Sequence, residues 1–242
     1  MFKRIIGLVL VDNGIVCRTR NFVSDYLYTD AFIDTNLFDE IVFIDITKNR
    51  SDKTSKLFLT VIEKLMSKSQ LPMAIGGGIS SINDIIRFRE FGADRYLINQ
   101  SSPTSDEFVR NAIDRFGKSS IISGIDHWGE FTYENNVTTK SKLARRITQI
   151  QGISGSEIFL NSVALDGALT GFDLGMAQEI SNYFQIPIVI SGGIGRWTHA
   201  LDALKIKNVT GVCTSNIYHL TTSTILSWRK QIVENGGNVR EL

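Results

Sequence analysis

The sequence predicts an α/β protein with one domain, a single (β/α)₈ TIM barrel over residues 1–242. Eight short, largely apolar runs recur along the chain, amphipathic segments separate most of them, and landmarks of the first half return in the second. Strands that are covered by helices are apolar nearly throughout, and eight of them in about 240 residues suit a closed barrel. A doubly wound open sheet is the alternative architecture.

The strand candidates each end in polar or turn-forming residues. They are residues 4–11, 40–46, 73–75, 95–98, 119–125, 157–160, 188–191 and 211–214. Segments with helical periodicity follow at 53–67, 82–91, 104–116, 143–150, 176–184 and 197–205. Each strand–helix unit is expected to place its helix on the outer surface of the barrel.

An internal repeat indicates two half-barrels. Residues 5–10 align with 121–126, 40–43 with 157–160, and 77–79 with 192–194, and Asn99 aligns with Asn216. All of these offsets lie between 115 and 117 residues. Chance matches between strands are the alternative, but four landmarks in the same order favour duplication. The half-barrels are expected at about 1–117 and 118–242.

Composition excludes several classes of protein. Lys and Arg total 26 and Asp and Glu total 25, so the net charge of +1 disfavours nucleic acid as the main partner. The two cysteines, Cys17 and Cys213, form no CxxC motif, and we expect no disulfide framework, no metal site and no cofactor. No apolar run approaches the 18–20 residues or so of a membrane span. We therefore expect a cytoplasmic protein that does not enter membranes.

Two glycine pairs predict phosphate sites. Gly77 and Gly78 follow one strand, and Gly192 and Gly193 follow its counterpart in the repeat. Glycine lets backbone amides approach an anion closely. The alternative is that a tight strand-to-helix turn needs glycine for its backbone geometry alone. The strand ends Asn99 and Asn216 would complete the sites, and Gly167 and Ser215 would extend the second. The predicted ligand is a small molecule with a phosphate at each end.

Three aspartates are candidates for chemistry because active sites of this fold lie at the carboxyl ends of the strands. Asp45, Asp126 and Asp166 all lie at or just beyond such an end. Capping of the following helix is the alternative role for each. Asp126 is the strongest candidate, since it directly follows an apolar strand.

A family resemblance runs over essentially the whole chain. The segments that carry it are residues 4–6, 21–22, 45–47, 76–79, 92–95, 98–99, 124–126, 166–173 and 191–193. In this order they resemble the cyclase subunit of imidazole glycerol phosphate synthase. The resemblance implies a half-barrel duplication and a partner glutaminase subunit that supplies ammonia through the barrel. It also implies a cyclase reaction that forms imidazole glycerol phosphate and an aminoimidazole carboxamide ribotide in histidine biosynthesis.

The resemblance assigns two catalytic aspartates, and this chain carries one of them. The aspartate of the fifth strand corresponds to Asp126, whereas its partner falls at Leu10. Asp12, two residues further on, is a weak substitute. The family's loop lysine corresponds to Arg18, and its Asp-Arg-Asp-Gly segment reads Ala-Leu-Asp-Gly over residues 164–167. We expect Arg18, Asp45 and Asp166 in the substrate pocket.

The resemblance also predicts a gate for ammonia at the opposite end of the barrel. The family has a ring of alternating charges at the starts of strands one, two, four and six. The corresponding residues are Arg4, Glu40, Arg95 and Glu157. Solvated residues at the barrel bottom are the alternative reading. Asp94 is expected to face the partner subunit.

Three activities remain open at the level of the sequence. The first is an ammonia-receiving paralogue that serves amidation of a surface-glycan sugar, since Leu10 removes one of the two cyclase aspartates. The second is an authentic cyclase. The third is a scaffold that activates its glutaminase without catalysis of its own.

Overall fold

Eight parallel strands close into a barrel in the computed structural model, which describes residues 2–27, 33–67, 69–101, 105–134, 137–215 and 224–242. The barrel strands are β1 (Arg4–Asp12), β4 (Glu40–Asp45), β5 (Met73–Gly76), β6 (Arg95–Asn99), β7 (Ile121–Trp128), β10 (Glu157–Ser162), β11 (Ile188–Ser191) and β12 (Val209–Thr214). Closure is made by β12, which pairs with β1 in parallel. The predicted (β/α)₈ barrel is confirmed.

Two antiparallel extensions that the sequence did not predict rise from the mouth of the barrel. β1 continues into the ribbon β2 (Ile15–Arg20) and β3 (Val23–Leu27), and β7 continues into β8 (Phe131–Glu134) and β9 (Val137–Lys142). Strand β7 also starts two residues later than expected, because residues 118–120 form a short 3₁₀ turn. The ribbons follow β1 and β7, two strands that the predicted repeat aligns with each other.

Seven helices are described. They are α1 (Asp52–Met66), α2 (Ile82–Glu90), α3 (Asp106–Phe116), α4 (Leu143–Ile150), α5 (Leu174–Tyr183), α6 (Trp197–Leu204) and α7 (Ile225–Glu234). Side-chain caps at Ser51 and Ser81 fix the first turns of α1 and α2 by accepting from backbone amides three residues on. None of these helices combines the length and apolar character that crossing a membrane requires.

Successive side chains of a barrel strand point alternately outward and inward, so the strands contribute to two apolar layers, one on each side of the barrel wall. In β1, Ile5, Val9 and Val11 pack outward against the helices. Ile6, Leu8 and Leu10 point into the barrel and join an inner cluster that includes Val42, Ala74, Ile122, Phe159 and Val189. The barrel interior is therefore a packed, mostly apolar core between its two ends.

Candidate active site

The carboxyl ends of the strands enclose a cavity of about 610 Å³, which we name the mouth cavity. Five predicted site residues line it: Asp45, Gly77, Gly78, Asn99 and Asp126. Lys48, Arg50, Tyr133 and Asn161 also line it, together with the aromatic rings of Phe22 and Phe159. The cavity therefore combines charged, amide and aromatic groups at the end of the barrel where the sequence predicts chemistry.

Asp126 is held by two side-chain amides at the cavity wall. Asn161 Nδ2 donates to Oδ1 at 2.8 Å, and Asn99 Nδ2 donates to Oδ2 at 2.7 Å. Burial raises the pKa of Asp126 to about 6, and the two amide hydrogen bonds limit the rise by favouring the carboxylate. A carboxyl with that pKa can exchange a proton near neutral pH.

The positions that the predicted repeat aligns with Asp126 and Asn161 carry no such polar pair. Asp126 lies beside Asn161 in the sheet register, and the residues equivalent by the repeat, Leu10 and Ile44, are likewise paired. Leu10 is 1% exposed, and both side chains belong to the inner apolar cluster. Leu10, where the resemblance assigns an aspartate, thus lies in an apolar pair with Ile44.

The first cradle is the glycine pair Gly77–Gly78, at the edge of the mouth cavity. Gly77 has a φ of 92°, and a Cβ added there would lie 2.1 Å from the carbonyl oxygen of Asp45. A Cβ on Gly78 would lie 1.9 Å from Arg50 Nη1. Arg50 itself is fixed on Asp45, since Nη2 donates to the carbonyl oxygen at 2.8 Å and Nε to Oδ2 at 3.3 Å. The cradle therefore has a guanidinium packed against its backbone.

The second cradle is the glycine pair Gly192–Gly193, which lines a separate cavity of about 10 Å³. Asp166, Gly167 and Ser215 also line it, as does Thr214, whose buried hydroxyl has no partner among the described residues. A Cβ on Gly192 would lie 2.4 Å from the carbonyl oxygen of Ser162, which matches the approach of Gly77 to Asp45 in the first half. The predicted Asn216 lies outside the described residues.

The remaining predicted pocket residues are engaged elsewhere. Asp166 is buried and accepts from the Thr19 hydroxyl at 2.5 Å and from the Phe22 amide at 2.8 Å. Arg18 forms an ion pair with Asp25 on the neighbouring strand β3. Asp12 accepts from Asn13 at the tip of the first ribbon. None of Asp12, Arg18 and Asp166 is among the described residues that line the mouth cavity.

The opposite end of the barrel holds the four predicted ring residues in contact with one another. Arg4 donates to Glu40 at 2.6 Å and also to Glu157, while Arg95 reaches Glu40 at 3.3 Å and Glu157 at 2.9 Å. The glutamates are 3% and 4% exposed, so each buried carboxylate lies between two guanidinium groups. We refer to these four side chains as the charge ring.

The two glutamates of the charge ring differ in proton affinity. Burial raises the pKa of Glu40 in spite of the two arginines. Burial acts on Glu157 in the same sense, but Arg4, Arg95 and the Thr210 hydroxyl outweigh it and lower the pKa. Asp94, beside the ring, is exposed and accepts from the Met73 amide at 2.8 Å.

Sequence reasoning missed several residues of the mouth cavity, among them Asn161, Lys48, Arg50 and Tyr133. Asn161 directly follows a predicted strand, a signal that attention to carboxylates alone overlooks. Lys48 and Arg50 lie in the loop after Asp45, where their spacing forms no motif. Tyr133 lies on the unpredicted strand β8 and stacks on Trp128 with ring centroids 5.7 Å apart.

Comparison with known proteins finds a matching family profile and a relative that is similar along nearly the whole chain. The profile of the family described as "Histidine biosynthesis protein" matches residues 7–224. The imidazole glycerol phosphate synthase subunit HisF of Staphylococcus carnosus (strain TM300) is 29% identical in an alignment that covers 98% of each chain.

Proposed function

Since this chain belongs to the histidine biosynthesis protein family, we propose that it is a HisF-like subunit that receives ammonia from a partner glutaminase. The ammonia would enter at the charge ring and react at the mouth cavity. The acceptor of the ammonia would be a small molecule, and the protein would be a paralogue that serves amidation of a surface-glycan sugar. The observation that carries this proposal is the combination of a complete charge ring with an incomplete pair of cyclase aspartates.

The charge ring supports entry of ammonia at the lower end. Its four charges alternate and neutralise one another, so the ring has no net negative charge that would hold the ammonium ion in preference to neutral ammonia. Beyond the ring lies the inner apolar cluster. An apolar interior admits neutral NH₃ more readily than the ammonium ion, because burial of an unpaired charge is costly.

The Asp126 site supports proton transfer without a second acid. When ammonia attacks an acceptor carbon that carries a leaving group, the new nitrogen–carbon bond forms, the leaving group departs with its electron pair, and the nitrogen must release a proton. The Asp126 carboxylate, held by Asn99 and Asn161, can accept that proton, and its pKa of about 6 suits general base catalysis near neutral pH. Leu10 supplies no group for the second acid–base role that a cyclase of this family requires.

An authentic cyclase is the second candidate, and the similarity to HisF over 98% of the chain favours it. An ammonium-only assay separates the two. A cyclase converts the bis-phosphorylated ribulosyl-aminoimidazole substrate with ammonium salts in the absence of glutaminase, whereas the proposed paralogue gives no such turnover. Turnover within tenfold of that of a HisF control would overturn the amidation proposal.

The partner is tested by mixing with a HisH-type glutaminase encoded in the same gene set. We expect a complex and a rise in glutamine hydrolysis. Complex formation without any ammonia-dependent product would favour the non-catalytic scaffold. Absence of both binding and activation would contradict the ammonia-receiving function altogether.

A further inference from the structure

A buried serine in the loop after β6 contacts both Asp126 and one of the two amides that hold it. We infer that Ser101 is a positioning residue for Asp126. Its hydroxyl replaces a missing backbone partner at the end of β7, and its amide fixes Asn99 in the orientation that donates to the carboxylate. This inference rests on the proposed function for the role of Asp126 as the general base. Ser101 lies two residues beyond the end of β6 and is 1% exposed.

The hydrogen-bond ladder between β6 and β7 changes partner at Asp126. In a parallel pair, a residue that donates its amide to one position of the next strand accepts from the position two further on. The Gln100 amide donates to the Gly124 carbonyl at 2.6 Å, so the Gln100 carbonyl would be the regular acceptor for the Asp126 amide. The Asp126 amide donates instead to the Ser101 hydroxyl at 2.8 Å. A side chain therefore continues the ladder under Asp126.

A buried arginine accounts for the change of partner. Arg146 on α4 is 1% exposed, and its Nε donates to the Gln100 carbonyl at 2.8 Å. Its two Nη atoms bind the carboxylate of Asp106, the first residue of α3. The Gln100 carbonyl thus faces a buried guanidinium rather than the Asp126 amide. Without the Ser101 hydroxyl that amide would lack a partner in the barrel wall, which is costly.

The backbone amide of Ser101 fixes the orientation of Asn99. Asn99 is exposed at the wall of the mouth cavity. Its Oδ1 accepts from the Ser101 amide at 2.8 Å, while its Nδ2 donates to Asp126 Oδ2 at 2.7 Å. A half-turn of the side-chain amide would place an oxygen against the carboxylate and an NH₂ group against the Ser101 amide. Both hydrogen bonds would be lost, so Ser101 keeps the donor of Asn99 directed at Asp126.

The two contacts couple the position of Asn99 to that of Asp126. The Ser101 hydroxyl accepts from the Asp126 amide and lies 3.4 Å from the Asp126 carbonyl oxygen, to which it donates. Removal of the hydroxyl would release residues 99–101 from the end of β7 and loosen the hydrogen bond from Asn99 to the carboxylate. Because that hydrogen bond favours the charged form, its loosening should raise the pKa of Asp126.

The test is an NMR titration of the Asp126 carboxyl in the full chain. Ser101→Ala should raise the pKa of Asp126 from about 6 by a further 0.5–1 or so, which corresponds to the net strength of one hydrogen bond. Ser101→Thr keeps the hydroxyl and should change the pKa less than Ser101→Ala does. Neither variant alters the charged and titratable groups that line the cavity or act on Asp126, namely Asp45, Lys48, Arg50, Tyr133 and Asp166.

A second background separates positioning from a general loss of structure. If Ser101 acts through Asn99, then Ser101→Ala should change the pKa of Asp126 less in a chain that already carries Asn99→Ala. The matched control is Ser120→Ala, because the Ser120 hydroxyl donates to the Phe116 carbonyl at 3.0 Å just before the opposite end of β7. This control removes a hydroxyl hydrogen bond of the same kind and should leave the pKa of Asp126 unchanged.

Three results would overturn the inference. They are an unchanged or lowered pKa of Asp126 in Ser101→Ala, an equal rise in Ser120→Ala, and an undiminished rise in the Asn99→Ala background. Failure to bind or activate a glutaminase would overturn the proposed function instead. The titrations need neither a partner nor an acceptor, so that failure would not alter them.

Discussion

Removal of one arginine from the charge ring is the most direct perturbation of the lower end of the barrel. In Arg95→Ala, Glu40 and Glu157 remain buried with Arg4 as their shared partner. Loss of one member of a buried ion-pair network leaves a charge without compensation, which costs about 3 kcal/mol. For a domain of this size that corresponds to a fall in Tm of about 6–12 °C.

The sign of the pH dependence follows from the pKa of Glu40. Its pKa is already raised by burial in the intact ring, and without Arg95 it must rise further. A carboxyl whose pKa is higher in the folded than in the unfolded state stabilises the fold relatively more at low pH. The stability deficit of Arg95→Ala should therefore be largest near pH 7 and shrink as the pH falls toward 5.

Urea unfolding at pH 7 and pH 5 measures both effects. Arg110→Ala is the matched control, because Arg110 is an exposed arginine on α3. The same variants are then mixed with the glutaminase, where Arg95→Ala should still permit glutamine hydrolysis but deliver less ammonia to the acceptor. A variant with the stability of Arg110→Ala at both pH values, or with unchanged coupling, would refute the role of the charge ring.

Two further predictions concern the mouth cavity. Carbon-detected NMR should find the Asp126 carboxyl titrating at about pH 6. Asn161→Ala should raise the pKa of Asp126 further, because it removes a hydrogen bond to the carboxylate. Titration of Asp126 near pH 4 in either protein would contradict the assignment. Among the glycines, Gly77→Ala should cost about 3 kcal/mol or more, because its Cβ meets rigid backbone at 2.1 Å and a φ of 92° is strained. Gly78→Ala should cost less, about 1–2 kcal/mol, since its Cβ meets the end of the Arg50 side chain, which can shift at the expense of its hydrogen bonds to Asp45. Urea unfolding that gave equal losses for the two variants would contradict this order.

Much of the fold was predictable because barrel strands carry a strong local signal. Strands covered on both faces are apolar along their whole length, so the eight runs stood out from their surroundings. The mouth ribbons carry no such signal. Strands such as β2 (Ile15–Arg20) mix exposed, intermediate and buried positions, and their polar residues resemble those of a loop.

Local periodicity and spacing along the chain were enough to specify the barrel, its repeat and the residue types at the strand ends. Which of these residues meet depends on the folded chain. Closure brings Arg4 to Glu157 across 153 positions, and strand register sets Asn161 beside Asp126. The packing of Arg50 against Gly78 likewise depends on the path of the loop after β4, which brings Arg50 next to the end of β5. The charge around a glycine cradle and the pKa of a carboxyl depend on which groups are close in space. The spacing of residues along the sequence does not specify those neighbours.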